Sequence, residues 1–221
     1  MGGQTVKINF DREMEKTVSA WQAVHQRKPV LLLHSCCAPC SSAVLERLAD
    51  RFVILDFFFN PNIAPEEEYA LRVGELRRLV SNMGLSDGVK VIEGTYSPAR
   101  FYDAVRGLEQ EPEGGERCTV CFRLRLEEAA REAARRRTDF FTTTLSISPH
   151  KDAERLNRIG REMGEKYGVP YLYSDFKKRD GFKRSTILSA QYGLYRQDYC
   201  GCIFSKAQAE QRRSQASEKL G

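Results

Sequence analysis

The run Val30-Leu31-Leu32-Leu33-His34-Ser35-Cys36-Cys37-Ala38-Pro39-Cys40 decides the reading of the fold. Residues 30–34 form a short, nearly continuous apolar stretch of the kind that fills a strand buried on both faces. A helical pattern follows at 41–50, with Val44, Leu45 and Leu48 on one face. Outward from this unit the same alternation repeats. A helix is predicted at 10–27, a strand at 52–59, a helix at 66–83, a strand at 89–92 and a helix at 98–107. A polar loop at 109–116 precedes a long helix at 119–137. A strand at 139–145, a loop at 146–149, a helix at 151–167 and a strand-like stretch at 169–173 come next, and the remainder reads as interrupted helix. Strands alternating with helices of this length predict a parallel-sheet α/β fold. No repeat or low-complexity linker divides residues 1–221, so one domain is expected, with a helical N-terminal segment (1–27) and a basic, mostly helical C-terminal part (174–221).

Composition narrows the function classes. An apolar content of 41% in 221 residues supports a real core, and no apolar run approaches the roughly 20 residues of a membrane span. Seven cysteines, an odd number, with no secretory pattern at residue 1 onward argue against a disulfide scaffold. A soluble cytoplasmic protein with thiol or metal chemistry, and no membrane partner, is expected. Residues 1–150 carry 20 Lys and Arg against 21 Asp and Glu, whereas residues 151–221 carry 15 against 9. The basic surplus therefore lies in the last third, notably at Lys177, Lys178, Arg179, Lys183, Arg184 and Arg196. Such a field suits a phosphate backbone or, equally, an ordinary solvated surface.

The cysteines fall into three groups, Cys36-Cys37-Ala-Pro-Cys40, Cys118-Thr-Val-Cys121 and Cys200-Gly-Cys202. All three belong to the edge where strand ends meet helix starts, the usual ligand address of a parallel sheet. A C-x-x-C pair brings two thiolates together and suits one metal or one face of an iron–sulfur cluster. If the first group opens a helix, Cys36 and Cys40 share a face and Cys37 points about 100° away. One consistent division gives Cys37, Cys118, Cys121 and one of Cys200 and Cys202 to a cluster. Cys36, Cys40 and the other terminal cysteine then hold a single iron or zinc with an open position. The competing division keeps Cys36, Cys37, Cys118 and Cys121 on the cluster and leaves Cys200–Cys202 as a redox disulfide. A structural zinc site using four of the seven is the bland alternative.

Other chemistry-bearing residues are few. His25, His34 and His150 are the only histidines, and His34 reads as a structural one near the site's edge. Neither a G-x-x-x-x-G-K-[ST] nor a G-x-G-x-x-G loop is present; cysteines occupy the position after the first strand where a nucleotide loop would sit.

The segments LLLHSCCAPCS (31–41), ERCTVCFRLRLEEAA (116–130), FFTTTLSISPHK (140–151) and GLYRQDYCGCIFS (193–205) together resemble the cobalamin-independent epoxyqueuosine reductases, the QueH family. The resemblance implies a single Rossmann-like parallel sheet of nucleotide-hydrolase-like, HUP type, with helices on both faces. It implies reduction of epoxyqueuosine to queuosine in the tRNA anticodon loop, with a 4Fe–4S cluster and an additional mononuclear iron, or zinc in its place. An electron donor such as a ferredoxin or flavodoxin would be needed, because removing an epoxide oxygen consumes two electrons and two protons. Carried over by position, Cys36, Cys37, Cys40, Cys118, Cys121, Cys200 and Cys202 are the metal ligands, with Cys36, Cys40, Cys200 and Cys202 as the catalytic candidates. Some relatives have aspartate where this chain has Cys40, and His150 stands where an aromatic is expected. Arg184, Tyr195, Arg196 and Tyr199, which interleave charge with rings, and Lys151 are the candidate RNA contacts. Tyr195, Tyr199, Asp198 and water are the candidate proton donors.

Overall fold

A computed structural model describes residues 8–218. Four parallel strands, β1 (Val30–Ser35), β2 (Val53–Phe58), β3 (Val89–Glu93) and β4 (Phe140–Thr143), form one sheet in the order β3-β2-β1-β4. Helices α1 (Phe10–His25), α2 (Ala38–Leu48), α3 (Glu66–Asn82), α4 (Pro98–Ala104), α5 (Glu116–Arg136), α6 (Ala153–Tyr167), α7 (Gly181–Gln191) and α8 (Ile203–Glu218) complete it. The architecture is the expected Rossmann-like α/β sheet. From β1 the chain steps outward to β2 and β3, then returns to lay β4 on the other side of β1. The order thus reverses between β1 and β4, where such sheets bind ligands.

Alternation along β1 divides the core. Leu31 and Leu33 join Met14, Val18, Val44, Leu45, Leu79 and Leu188 on one face, under α1, α2, α3 and α7. Leu32 joins Phe57, Phe141, Phe122, Leu126, Leu156 and Ile159 on the other, under α5 and α6. All three leucines are fully buried, each contributing roughly 1.5–3 kcal/mol of transfer free energy. Small residues let the second layer close: a Cβ on Gly160 of α6 would meet the Tyr171 ring at 2.3 Å.

The chain departs from the sequence expectations at the strand ends that carry the site. Helix α2 starts at Ala38 rather than residue 41, because Pro39 in its first turn is already set to a helical φ and needs no N–H partner. The predicted strand 139–145 stops at Thr143. Its side chain accepts the Leu145 N–H and starts one turn of 3-10 helix, Thr144–Ile147. The strand-like stretch 169–173 contributes a single parallel bridge, Phe141 to Tyr171. Asp152 caps α6 through the Glu154 and Arg155 N–H groups. No helix among the described residues is long and apolar enough to cross a membrane.

Candidate metal centre

Cys36 follows β1 directly, Cys37 is the N-cap of α2 in extended backbone, and Cys40 lies in the first turn. This geometry replaces the expected one. Cys36 is outside the helix, so the angular argument that turned Cys37 away from Cys36 and Cys40 does not apply. The three sulfurs instead lie within 4.8 Å of one another, with Cys36 and Cys37 3.7 Å apart. The Thr144 hydroxyl, just past β4, stands 4.0 Å from the Cys36 sulfur, which sets this group at the reversal point.

Of the other two groups, Cys200 shares a cleft with these three thiols and Cys118 packs against the core cluster that holds Cys36 and Cys37, while Cys121 and Cys202 lie together in a cluster of their own. Cys118 and Cys121 occupy the start of α5; Cys118 accepts the Gly114 N–H at 3.2 Å, and Cys121 is buried beside Cys202, Phe101 and Val105. The Cys200–Cys202 turn depends on Gly201, whose φ of +123° L side chains rarely adopt and whose Cβ would lie 3.0 Å from Arg72 Nη1. Arg72 Nη1 donates to the Cys200 carbonyl at 3.1 Å, and the Ala64 N–H donates to the Gly201 carbonyl at 3.2 Å. Cys202 accepts the Ser205 N–H at 3.4 Å. All seven cysteines are free thiols.

Electrostatics show what such crowding costs protons. Hydrogen bonds from Cys37 and Cys40 hold the Cys36 thiol well below its ordinary range, while Cys37 is pushed up to about 12 by Cys36 and Cys40 is raised for the same reason. Burial pushes Cys121 up to about 12. The sulfurs therefore share few negative charges unless something replaces their protons, and a soft metal does that. A cation stands ready: burial would lower Lys151, but its attraction to the Cys200, Cys36 and Cys40 sulfurs raises it instead. Among the described residues this donor set, soft sulfur with buried positive charge beside it, fits thiolate-bound iron or zinc and not a hard oxygen-ligated ion.

A cleft of about 510 Å³, within the size range of small-molecule sites, is lined by Cys36, Cys37, Cys40 and Cys200 and walled by Lys151, Phe182, Arg196 and Tyr199. Arg196 donates to Ser189 Oγ at 3.1 Å and its guanidinium lies 5.9 Å from the Phe182 ring centre. Tyr199 lies under Arg72 at 5.3 Å. Two predicted contacts are elsewhere. Arg184 forms a two-pronged pair with Glu46 at 2.6 and 2.8 Å beside a separate small hollow. The Tyr195 hydroxyl faces Glu68 at 3.4 Å.

His34 is structural. Its Nε2 faces the Phe59 carbonyl at 3.0 Å and its Nδ1 faces Thr143 Oγ1 at 2.9 Å, and burial brings it down to about 3. A carbonyl only accepts, so Nε2 carries the proton and Nδ1 takes the threonine hydroxyl. Sequence reasoning missed Phe182, Arg72 and Arg125, the last one turn beyond Cys121 on α5 and 1% exposed. The four-residue spacing from Cys121 was the one available signal for Arg125.

A parallel α/β sheet with buried thiols at its reversal point, in place of a phosphate-binding loop, has the donors to hold a thiolate-bound metal. The family model described as "Epoxyqueuosine reductase QueH" matches residues 31–208. Similar curated proteins of that name occur in Streptococcus pyogenes serotype M1, 42% identical over 201 residues (90% of this chain, 78% of the relative). One in Staphylococcus epidermidis is 42% identical over 203 residues (90% and 85%), and one in Thermotoga maritima is 34% identical over 194 (86% and 97%). The chain belongs to the epoxyqueuosine reductase QueH family and is an oxidoreductase.

Proposed function

We propose that this chain reduces epoxyqueuosine to queuosine in the tRNA anticodon loop, in the cytoplasm, with a 4Fe–4S cluster and an adjacent mononuclear iron or zinc. The observation that supports the reading is the lining of one cleft of nucleoside size by Cys36, Cys37, Cys40 and Cys200, the first three with their sulfurs within 4.8 Å of one another; Cys118, Cys121 and Cys202 are proposed as the further ligands. When bound, the metal group would supply electrons singly and Lewis acidity. A ferredoxin- or flavodoxin-type donor would deliver the two electrons in turn.

The protein's own residues bind and orient. Lys151 and Arg196 place positive charge in the cleft wall for phosphate, and the Phe182 and Tyr199 rings offer surfaces for an unstacked base. Of the candidate proton donors, Tyr199 lines the cleft, Asp198 lines it too but pairs with Arg213 at 2.7 Å, and Tyr195 is engaged with Glu68. Burial keeps the Tyr199 phenol protonated. Arg184 and Tyr195 stay in the proposal as flanking contacts only.

Anaerobic reconstitution with iron, sulfide and zinc quantification tests the reading together with single-turnover conversion of epoxyqueuosine-containing tRNA. About four sulfides and four or five irons per chain are expected, with conversion to queuosine. Zinc without sulfide and no conversion would make the chain a zinc-stabilised RNA-binding module instead.

Salt dependence separates the two arginines. Each single-strand phosphate contact contributes a slope of about −0.7 in log K against log salt. Arg196→Ala should weaken tRNA binding and flatten the slope by about one such contact. Arg184→Ala, whose guanidinium is already engaged by Glu46, should change both much less. Unchanged affinity and slope in Arg196→Ala, measured by filter binding across a salt series, would remove the cleft wall from the interface.

A further inference from the structure

Three arginines are among the largest fully buried side chains, and they are satisfied differently. Arg72 has the Glu68 carboxylate at 2.7 Å and the Cys200 carbonyl. Arg117 donates to the backbone carbonyls of Leu108, Glu109 and Glu111. Arg125 has neither. Its Nη2 donates to Asn60 Oδ1 at 2.6 Å, Asn60 being held in turn by the Ser35 carbonyl at 2.8 Å. Its Nε and Nη1 are buried and close no hydrogen bond. The groups that act on its charge are Cys121, Cys36 and Cys200, one from each of the three cysteine segments, while Lys151 lies close enough to feel its repulsion.

A guanidinium cannot shed its proton to escape burial. A buried, uncompensated charge costs far more than a buried amide, and removing water from it is repaid only by an opposite charge at close range. Among the described residues no carboxylate pairs with Arg125. Protonated thiols are neutral and cannot compensate it; metal-bound thiolates are negative and can. Arg125 does not line the cleft, so substrate is not its partner.

We infer that Arg125 is the resident counter-ion of the thiolate-bound metal centre and holds its reduction potential up. The inference rests on the cluster reading above. Its sign follows from charge: reduction adds an electron to a negative centre, and a fixed neighbouring cation stabilises the more negative form. Arg125 is accordingly a positioning residue, acting on the metal centre and not on the substrate.

The test is a spectroelectrochemical titration of the reconstituted full chain, poised at the wild-type midpoint. Arg125→Gln should cut the ratio of reduced to oxidised cluster at least tenfold, which for a one-electron couple is about 59 mV. Arg125→Lys, which keeps the charge, should stay within about threefold of wild type. Asn60→Asp leaves Arg125 in place but sets a carboxylate against it, and should lower the ratio as Gln does. An unshifted ratio in loaded Arg125→Gln, or a Lys variant that moves as far as Gln, overturns the inference. Should Arg125→Gln and Asn60→Asp fail to load while Arg125→Lys loads, charge is required for assembly and the role stands. If none of the three loads, shape and not charge is what the site needs, and the role falls. A wild-type chain that binds no sulfide sinks the proposed function itself, an outcome distinct from a loaded wild type with unshifted variants.

Discussion

Cys118→Ala and Cys121→Ala should each yield a folded chain that has lost the visible absorption, the sulfide and about four irons of the reconstituted protein. The two thiols start α5 three residues apart, Cys118 half-buried and accepting the Gly114 N–H, Cys121 buried beside Cys202. A free buried cysteine packs as a small apolar group, so removing its sulfur should cost the apo fold little, about 1 kcal/mol as for a typical substitution. Loss of a ligand from a Cys-held cluster is of another order, because the cluster's irons need their thiolates. Circular dichroism of the apo-proteins, unchanged in shape, paired with iron and sulfide analysis, makes the measurement. Full iron, sulfide and colour in both variants would show that α5 contributes no ligands.

Cys40→Ala should do something different: keep about four irons and four sulfides, lose the extra metal, and abolish epoxide reduction while tRNA still binds. All three clustered thiols line the cleft, and the most exposed of them is Cys40. It is therefore placed to serve a metal that meets substrate. Cys40→Asp should retain partial activity, since a carboxylate is an alternative, harder iron ligand. Metal stoichiometry and single-turnover conversion under reducing, anaerobic conditions decide it. An active Cys40→Ala enzyme removes any essential Cys40-bound metal, and loss of the whole cluster would put Cys40 in the cluster's own ligand set. With Cys36 and Cys37 only 3.7 Å apart, this variant also reports how the first segment divides between the two centres.

The sheet was legible because its signals are local. Residues 30–34 are too apolar to be anything but buried, and α5 and α6 repeat apolar residues at helical spacing. The address of the first cysteine group was legible because it directly follows the buried run 30–34, the place where a parallel sheet presents its ligands. What stayed hidden depended on the chain's third dimension. Whether Cys37 parts from Cys36 turns on one backbone conformation, the extended N-cap that Pro39 permits, and the sequence reading began the helix three residues late. Arg184 looked like Arg196 in a basic segment; only the fold sets Glu46 of α2 against the one and the cleft against the other. Arg125 looked like one more charge in an Arg- and Glu-rich helix, since nothing local says which of its neighbours faces the thiols.

The three cysteine segments lie far apart along the chain, one after the first strand, one at the long helix, one just before the last helix. A ribosome delivers them in that order, so a nascent chain cannot close the site until residue 202 is clear of the exit tunnel. On the proposed ligation, metal loading therefore waits for the synthesis of residue 202. On the same ligation, the metal bonds would staple three remote stretches together and spare the folded state the loop-closure entropy of holding them by weaker contacts. A cell short of iron would accumulate chains whose Cys200–Cys202 turn is held by Arg72, a few backbone hydrogen bonds and the packing of Cys202 and Phe204 against Phe101 and Cys121. Quality-control proteases would meet that tail first, so the enzyme's abundance, and not only its activity, would follow the iron supply.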